Sequence, residues 1–166
     1  MPWRNLLTPQ YRFKKITDVK SDFFAGAALI IFDIDNTLFV PSTTQIPEDI
    51  LTWFLDIKSR YPCVCFSNSF TIQWRQKEIE KLLGCEVYLS KHKKPSQKLF
   101  AEIKQRYAKE GTVFVVGDLL VTDVLFANKG GAISVLIEPF TTQERMLIKI
   151  VRYLEKIMYN TIIKYV

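Results

Sequence analysis

Short apolar runs alternate along the chain with longer segments in which apolar residues recur at helical spacing. Five of these runs have the length and composition of strands: ALIIF at 28–32, PCVCF at 62–66, EVYLS at 86–90, TVFVV at 112–116 and AISVLI at 132–137. Helices are predicted after Pro47, from about Thr71 to Leu83, after Pro95, and from Val124 to Lys129. This order predicts an α/β fold in which helices cover both faces of a central parallel sheet.

Polar side chains that can take part in chemistry follow the predicted strands. They are Asp33 and Asp35 after the first run, Ser67 and Asn68 after the second, Lys94 after the third, and Asp118 and Asp123 after the fourth. The carboxyl ends of parallel strands meet at one edge of a sheet, and folds of this kind bind their ligands at that edge. We therefore expect these side chains to form one site.

A phosphate ester is a substrate that this set of side chains could process. If Asp33 attacks the phosphorus, its carboxylate meets roughly 8 kcal/mol of repulsion from a phosphate dianion at about 4 Å and an effective dielectric constant of about 20. Asp118 would allow the site to hold a hard dication, and magnesium favours a few carboxylates together with water and phosphate oxygens. Lys94 and Ser67 can bind the phosphate, while Asp35 can protonate the leaving group and later activate water.

Four segments resemble, in chain order, the motifs of the haloacid dehalogenase-like (HAD) phosphatases. FDIDNTL matches the D-x-D-x-T signature, CVCFSNS is similar to the second motif, KHKKPS to the lysine motif and VVGDLLVTDV to the acidic fourth motif. The resemblance covers about residues 27–140 and implies a Rossmann-like domain. It also implies these roles: nucleophile Asp33; acid and base Asp35; phosphate contacts from Thr37, Ser67, Asn68 and Lys94; magnesium ligands Asp33, the Asp35 carbonyl and Asp118, with Asp123 in or near the metal shell.

A finer resemblance is to the YqeG-type branch, HAD subfamily IIIA, which includes phosphatidylglycerophosphate phosphatases. It is carried by SNS, by the step from Lys94 to Pro95, by GDLLVTDVLFANKGG and by the N-terminal LLTPQYRFKKITDV. The chain departs from the branch at Leu119, where the branch has glutamine, and in the more basic SKHKKP. The resemblance implies dephosphorylation of phosphatidylglycerophosphate to phosphatidylglycerol. The alternatives are a phosphatase of a soluble substrate and a non-catalytic binding module.

The length of 166 residues favours one domain over 1–166, with a catalytic core at about 27–140 and an amphipathic C-terminal helix at about 142–165. Only a short loop separates Phe39 from the helix after Pro47, which is too little chain for a cap domain. We therefore predict a domain without a sizeable cap. Its open site would be accessible to large or surface-bound substrates.

The predicted C-terminal helix combines an apolar stripe with basic residues. The stripe consists of Met146, Leu147, Ile150, Val151, Leu154, Ile157 and Met158. Five basic residues against Glu144 and Glu155 give residues 141–166 a net charge of +3. Packing on the domain, contact with a second copy and contact with a membrane surface all explain this pattern.

The formal net charge of +6 is compatible with an anionic partner, such as an anionic phospholipid or a phosphorylated substrate, and also with an ordinary basic surface. The sequence has no apolar run of about 18 residues and no signal-peptide pattern, and its three cysteines indicate free thiols. We therefore predict a cytoplasmic protein and leave open peripheral contact with a membrane. The sequence has no basic and aromatic strand platform, so nucleic acid is not an expected partner.

Overall fold

The computed structural model describes residues 3–108, 110–141 and 146–158, which contain one parallel sheet of five strands. The strands are β1 Tyr11–Phe13, β2 Ala27–Phe32, β3 Cys63–Cys65, β4 Thr112–Gly117 and β5 Ile133–Ile137. They lie in the order β1-β5-β4-β2-β3, and each neighbouring pair is parallel. The long central strands β2 and β4 therefore end side by side, which brings the residues that follow them together.

Helices lie on both faces of the sheet, as the alternation predicts. They are α1 Trp3–Leu7, α2 Glu48–Arg60, α3 Ile72–Leu83, α4 Gln97–Tyr107, α5 Leu125–Gly130 and α6 Met146–Met158. Two 3-10 turns, Ile16–Asp18 and Ser21–Phe24, precede β2, and a π-helical turn over Leu120–Val124 leads into α5. Helix α3 ends where predicted, because Gly84 adopts a left-handed conformation with φ of 57°.

The core is divided by the sheet into two apolar clusters. Alternate residues of β2 point to opposite faces, so that Ile30 and Phe32 join one cluster while Leu29 and Ile31 join the other. Helices α2 and α3 cover the first cluster, and α4 and α5 cover the second. Burial on both faces explains why β2 and β4 appear in the sequence as continuous apolar runs rather than as alternating ones.

The predicted fold class is confirmed, but two strand assignments differ from the structure. The run EVYLS forms only a single bridge, between Val87 and Cys65, at the edge of the sheet beyond β3. Strand β1 was not predicted, because its three residues have no apolar run and are largely exposed. It joins the sheet through backbone pairing with β5, which a local pattern does not encode.

The loop between Phe39 and Glu48 is short, as expected, and no second domain covers the carboxyl edge of the sheet in the described part of the chain. The three cysteines are free thiols. Of the predicted C-terminal helix, residues 142–145 and 159–166 lie outside the described residues. No helix in the described ranges is both long enough and apolar enough to cross a membrane.

Phe54 tests the packing between α2 and the sheet. Its ring is fully buried and lies 5.2 Å from the ring of Phe32, whereas the next residue, Leu55, is 43% exposed. Phe54→Ala should lower the free energy of unfolding by about 3–5 kcal/mol because it leaves a cavity in the core. Leu55→Ala, the matched control, should change it by about 0.5 kcal/mol. Urea unfolding of both variants measures the difference, and equal values would contradict the packing described.

Candidate active site

Asp33 is positioned directly by the central sheet. Its backbone N–H donates a hydrogen bond of 2.8 Å to the carbonyl of Val116, which continues the pairing of β2 with β4 by one residue. Its carboxyl group is therefore held at the carboxyl edge by two largely buried strands. A side chain on this rigid support has little freedom, which suits a group that must attack along one direction.

Three buried carboxyl groups converge at this edge. One oxygen from each of Asp33, Asp118 and Asp123 lies within 4.8 Å of the other two. Asp118 directly follows β4, and Asp123 comes from the π-helical turn. Gly117 makes the approach possible, since a Cβ atom there would lie 2.3 Å from the carboxyl carbon of Asp123. Three like charges in a buried position require compensation by cations.

Lys94 supplies the first compensating charge. Its Nζ atom lies 2.5 Å from an oxygen of Asp33 and 2.5 Å from an oxygen of Asp123. Asn68 holds the lysine in place, because its amide nitrogen donates to the Lys94 carbonyl and its amide oxygen accepts from the Lys94 N–H, both at 2.9 Å. Both polar ends of the Asn68 side chain are therefore engaged, and its predicted contact with phosphate stays a prediction.

Burial and charge act in opposite directions on the proton affinities of these groups. Burial raises the pKa of Asp33, and the nearby Lys94 ammonium opposes the rise. Burial likewise raises the pKa of Asp118 to about 7, against the effect of Arg152. Two carboxylates raise the pKa of Lys94 above its usual range despite desolvation of the ammonium. Lys94 therefore stays protonated, and its contact with Asp33 offsets part of the rise in the pKa of that carboxyl group.

Asp35 lies in a separate polar cluster beside the three carboxyl groups. Arg75 donates to both of its oxygens, at 3.0 and 3.1 Å, the Ser67 hydroxyl donates at 3.0 Å, and the Ser42 N–H donates at 2.7 Å. Arg75 is buried and also donates to the Thr43 carbonyl at 2.6 Å. Four hydrogen bonds thus hold Asp35 as a carboxylate that is distinct in its environment from Asp33.

Arg75 was missed by the sequence interpretation, although a signal for it existed. Residues Ile72, Arg75 and Ile79 share the buried face of α3, where an unpaired arginine would be costly. A charged residue at an apolar position of a predicted helix is a sign that an acid lies opposite. In this chain that acid is Asp35.

Two more charged residues reach the site from α6. Arg152 donates to a carboxyl oxygen of Asp118 at 2.5 Å and to the Asp118 carbonyl at 3.1 Å. Glu155 is buried and accepts a hydrogen bond of 2.8 Å from the Val121 N–H. Arg152 and Glu155 each lie 34 residues from the residue they bind. The sequence pattern placed both only in the amphipathic C-terminal helix and did not connect them with the site.

Most of the predicted site residues line one cleft of about 280 Å³. They are Asp33, Asp35, Ser67, Asn68, Lys94 and Asp118. Asp123 lies beneath them, behind Lys94. Thr37 is buried and lines a different cleft, and its hydroxyl finds no hydrogen-bond partner among the described residues, so its predicted phosphate contact stays a prediction. Phe70, at the cleft, and Trp74, one helical turn further on, are each 88% exposed.

The carboxyl groups fit a hard metal ion. In the described part of the chain, one oxygen of Asp33 and one of Asp118 accept no hydrogen bond, while their other oxygens are bound by Lys94 and Arg152. Both oxygens of Asp123 are occupied, one by Lys94 and the other by the Leu119 N–H and the Thr122 hydroxyl. Asp33 and Asp118 are therefore the better placed ligands, and Asp123 mainly orients Lys94.

Comparison with known proteins adds to this geometry. A family model described as mitochondrial PGP phosphatase matches residues 2–140. The chain is 27% identical over 128 residues to the probable phosphatase YqeG of Bacillus subtilis (strain 168), covering 76% of this chain and 73% of that protein. It is also 27% identical over 147 residues to the chloroplastic phosphatidylglycerophosphate phosphatase 1 of Chlamydomonas reinhardtii, covering 83% of this chain and 53% of the relative.

A third relative is the chloroplastic/mitochondrial phosphatidylglycerophosphate phosphatase 1 of Arabidopsis thaliana. It is 27% identical over 135 residues, which cover 76% of this chain and 39% of the relative. The chain thus spans about half or less of the two plant and algal relatives.

The pair formed by Arg75 and Asp35 can be tested by its contribution to stability. Arg75→Gln should lower the free energy of unfolding by about 3 kcal/mol, because it leaves a largely buried carboxylate without its charged partner. Arg60→Gln is the matched control, since it removes an exposed pair with Asp56 and should cost less than about 0.5 kcal/mol. Thermal and urea unfolding measure both variants. A cost for Arg75→Gln no larger than the control would show that the pair is dispensable.

Proposed function

The chain belongs to the family described as mitochondrial PGP phosphatase, and from this premise we propose that it is a magnesium-dependent phosphatase that converts phosphatidylglycerophosphate to phosphatidylglycerol. The observation that carries the proposal is the buried pair of Asp33 and Lys94 at the edge of the sheet, where Asp33 lies close to Asp118 and its second oxygen accepts no hydrogen bond from the described residues. A carboxylate in this position can act as a nucleophile toward a phosphate bound in the cleft.

The first half of the reaction transfers the phosphoryl group to Asp33. A carboxyl oxygen of Asp33 forms a bond to phosphorus, the bond between phosphorus and the glycerol oxygen breaks, and that oxygen takes a proton from Asp35. Lys94 offsets negative charge next to the attacking carboxylate. To supply the proton, the carboxyl group of Asp35 must be protonated and turn away from Arg75, which binds both of its oxygens.

The second half of the reaction releases phosphate. Asp35 takes a proton from water, the water oxygen bonds to phosphorus, and the bond between Asp33 and phosphorus breaks. The hydrogen bonds that Asp35 accepts from Arg75, Ser67 and Ser42 hold it as a carboxylate suited to this base role. Each turnover thus returns both aspartates to their starting forms.

Asp33, Asp118 and the backbone carbonyl of Asp35 would hold magnesium, with Asp123 next to them. The ion would supply positive charge that lowers the repulsion between Asp33 and the substrate phosphate. The fit rests on the all-oxygen donor set and on the carboxyl oxygens that Asp33 and Asp118 leave without hydrogen bonds in the described part of the chain. Lys94 and Arg152 occupy the opposite oxygens and so orient both ligands.

A lipid substrate agrees with the surface around the cleft. In the described part of α6, four apolar side chains at positions i, i+3, i+4 and i+7 are between 45% and 65% exposed: Ile150, Tyr153, Leu154 and Ile157. Helix α6 therefore directs charged residues toward the site and apolar residues outward. Phe70, which lines the cleft, and Trp74 on α3 add two exposed aromatic rings. We infer that these surfaces rest on an anionic bilayer and bring the site to the lipid phosphate.

Substitution of the two aspartates tests the chemistry. Asp33→Asn should abolish phosphate release from phosphatidylglycerophosphate in detergent micelles, because an amide cannot attack the phosphorus. Asp35→Asn should lower the rate by roughly 10²–10⁴ because it removes the proton carrier. The exposed Asp56→Asn is a control that should retain full activity.

Phosphate release by the unaltered protein should stop in EDTA and return when magnesium is added. Full turnover by Asp33→Asn, or turnover that is indifferent to chelation, would disprove the mechanism. The same assay with a panel of soluble phosphomonoesters separates a lipid phosphatase from a phosphatase of soluble substrates. No release from any substrate would favour a binding module.

The outward face of α6 can be tested with vesicles containing anionic lipid. The double variant Leu154→Gln and Ile157→Gln should weaken cosedimentation by about thirtyfold, since it removes roughly 2 kcal/mol of apolar burial. Leu55→Gln with Leu82→Gln, which alters exposed leucines on α2 and α3, should change binding little. High salt should also weaken binding of the unaltered protein.

Substitutions are preferable to removal of the helix, because removal would also take Arg152 and Glu155 from the site. Vesicle binding that is equal for all variants, or absent from the unaltered protein, would contradict a membrane role for this face. Loss of a dimer in the double variant, measured by sedimentation, would instead assign the face to a second copy of the chain.

A further inference from the structure

Helix α6 lies beyond residues 2–140, the part matched by the family model. It nevertheless contacts the loop that follows β4 at two points. Arg152 binds the Asp118 side chain and the Asp118 carbonyl, and Glu155 accepts from the Val121 N–H three residues further along. Arg152 and Glu155 are separated by about one helical turn, so their side chains lie on the same side of α6 and bind neighbouring parts of the loop that follows β4. Polar contacts therefore hold the helix to the site.

The charge balance of the described site depends on Arg152. Asp33, Asp118 and Asp123 contribute three negative charges, and Lys94 and Arg152 contribute two positive charges. Asp35 and Arg75 compensate each other. With all of these groups ionised, their net charge is −1 with Arg152 and −2 without it, and an ionised Glu155, which is buried beside Arg152, makes these sums −2 and −3.

We propose that Arg152 is a charge-setting residue that weakens magnesium binding and strengthens binding of the substrate phosphate. The proposal rests on the proposed function, because it presumes that the carboxyl groups hold magnesium. A dication adds two positive charges in either case, so the site stays one charge more positive with Arg152 than without it. A phosphate dianion is attracted more strongly to the more positive site.

The geometry suits an arginine in this role. The two terminal guanidinium nitrogens of Arg152 donate to one carboxyl oxygen and to the backbone carbonyl of Asp118, so two hydrogen bonds fix the guanidinium group. The other carboxyl oxygen accepts no hydrogen bond from the described residues and is available to a metal. The positive charge is thus adjacent to the metal position without occupying the ligand atom.

Removal of the charge should affect cation and anion binding in opposite directions. In Arg152→Gln, titration calorimetry with magnesium alone should show binding about tenfold tighter, because a nearby positive charge is gone. Inhibition by inorganic phosphate at saturating magnesium should become about tenfold weaker, because the phosphate anion loses the attraction of that positive charge. A loss of local structure would instead weaken both.

Two further variants complete the experiment. Arg152→Lys keeps the charge and should keep both affinities within about threefold. Lys149→Gln removes one positive charge from an exposed position of the same helix and should leave both affinities unchanged. If Arg152→Gln does not fold, as judged by circular dichroism, Arg152→Lys decides: loss of either affinity in a folded, charge-retaining variant would overturn the proposal.

The outcomes separate this proposal from the proposed function. Weaker binding of both ligands in Arg152→Gln, or no change in either, overturns the charge-setting role while magnesium-dependent turnover of the unaltered protein still stands. Absence of magnesium binding by the unaltered protein overturns the proposed function and this proposal together. Tighter magnesium binding together with weaker phosphate binding in Arg152→Gln supports the charge-setting role, provided that Lys149→Gln shows neither change.

Discussion

The ammonium group of Lys94 between Asp33 and Asp123 is the interaction on which the rest of the site depends. Its two contacts of 2.5 Å are buried, and they compensate carboxyl groups that would otherwise repel one another at the edge of a hydrophobic sheet. A buried carboxylate without such a partner would take up a proton and lose its nucleophilic character. The loop that carries Lys94 is in turn fixed by Asn68, so a single amide side chain secures the central cation.

The remaining charges follow the same rule with different partners. Arg75 from α3 compensates Asp35, and Arg152 from α6 compensates Asp118. Each aspartate therefore has its own arrangement of cations and hydrogen bonds. Asp33 lies beside Lys94, whereas Asp35 accepts hydrogen bonds from several donors. In the reaction we propose, these distinct environments would allow Asp33 to attack phosphorus and Asp35 to carry protons.

Helix α6 shows how an amphipathic pattern can serve a site rather than a core. Its charged residues Arg152 and Glu155 point toward the catalytic loop, where burial raises the pKa of Glu155 to about 7. Four of its residues, Ile150, Tyr153, Leu154 and Ile157, are exposed, while α2, α3, α4 and α5 cover the two faces of the sheet. The same helix thus contributes a charge to the site and an exposed apolar surface beside it. In our proposals, the charge acts on phosphate binding and the surface brings the lipid to the site.

The sequence by itself determined the parallel α/β fold and the strand ends that Asp33, Asp35, Ser67 and Asp118 follow. These features are local: an apolar run sets a strand, and the next residues fall at its carboxyl end. Arg75 was within reach of the same reasoning, because it occupies an apolar position of α3. Only the tertiary structure decided that Arg152 and Glu155 belong to the site, that β1 pairs with β5, and that Ile150, Leu154 and Ile157 of α6 are exposed. Those outcomes depend on contacts between distant parts of the chain, whose free energies no local pattern of residues contains.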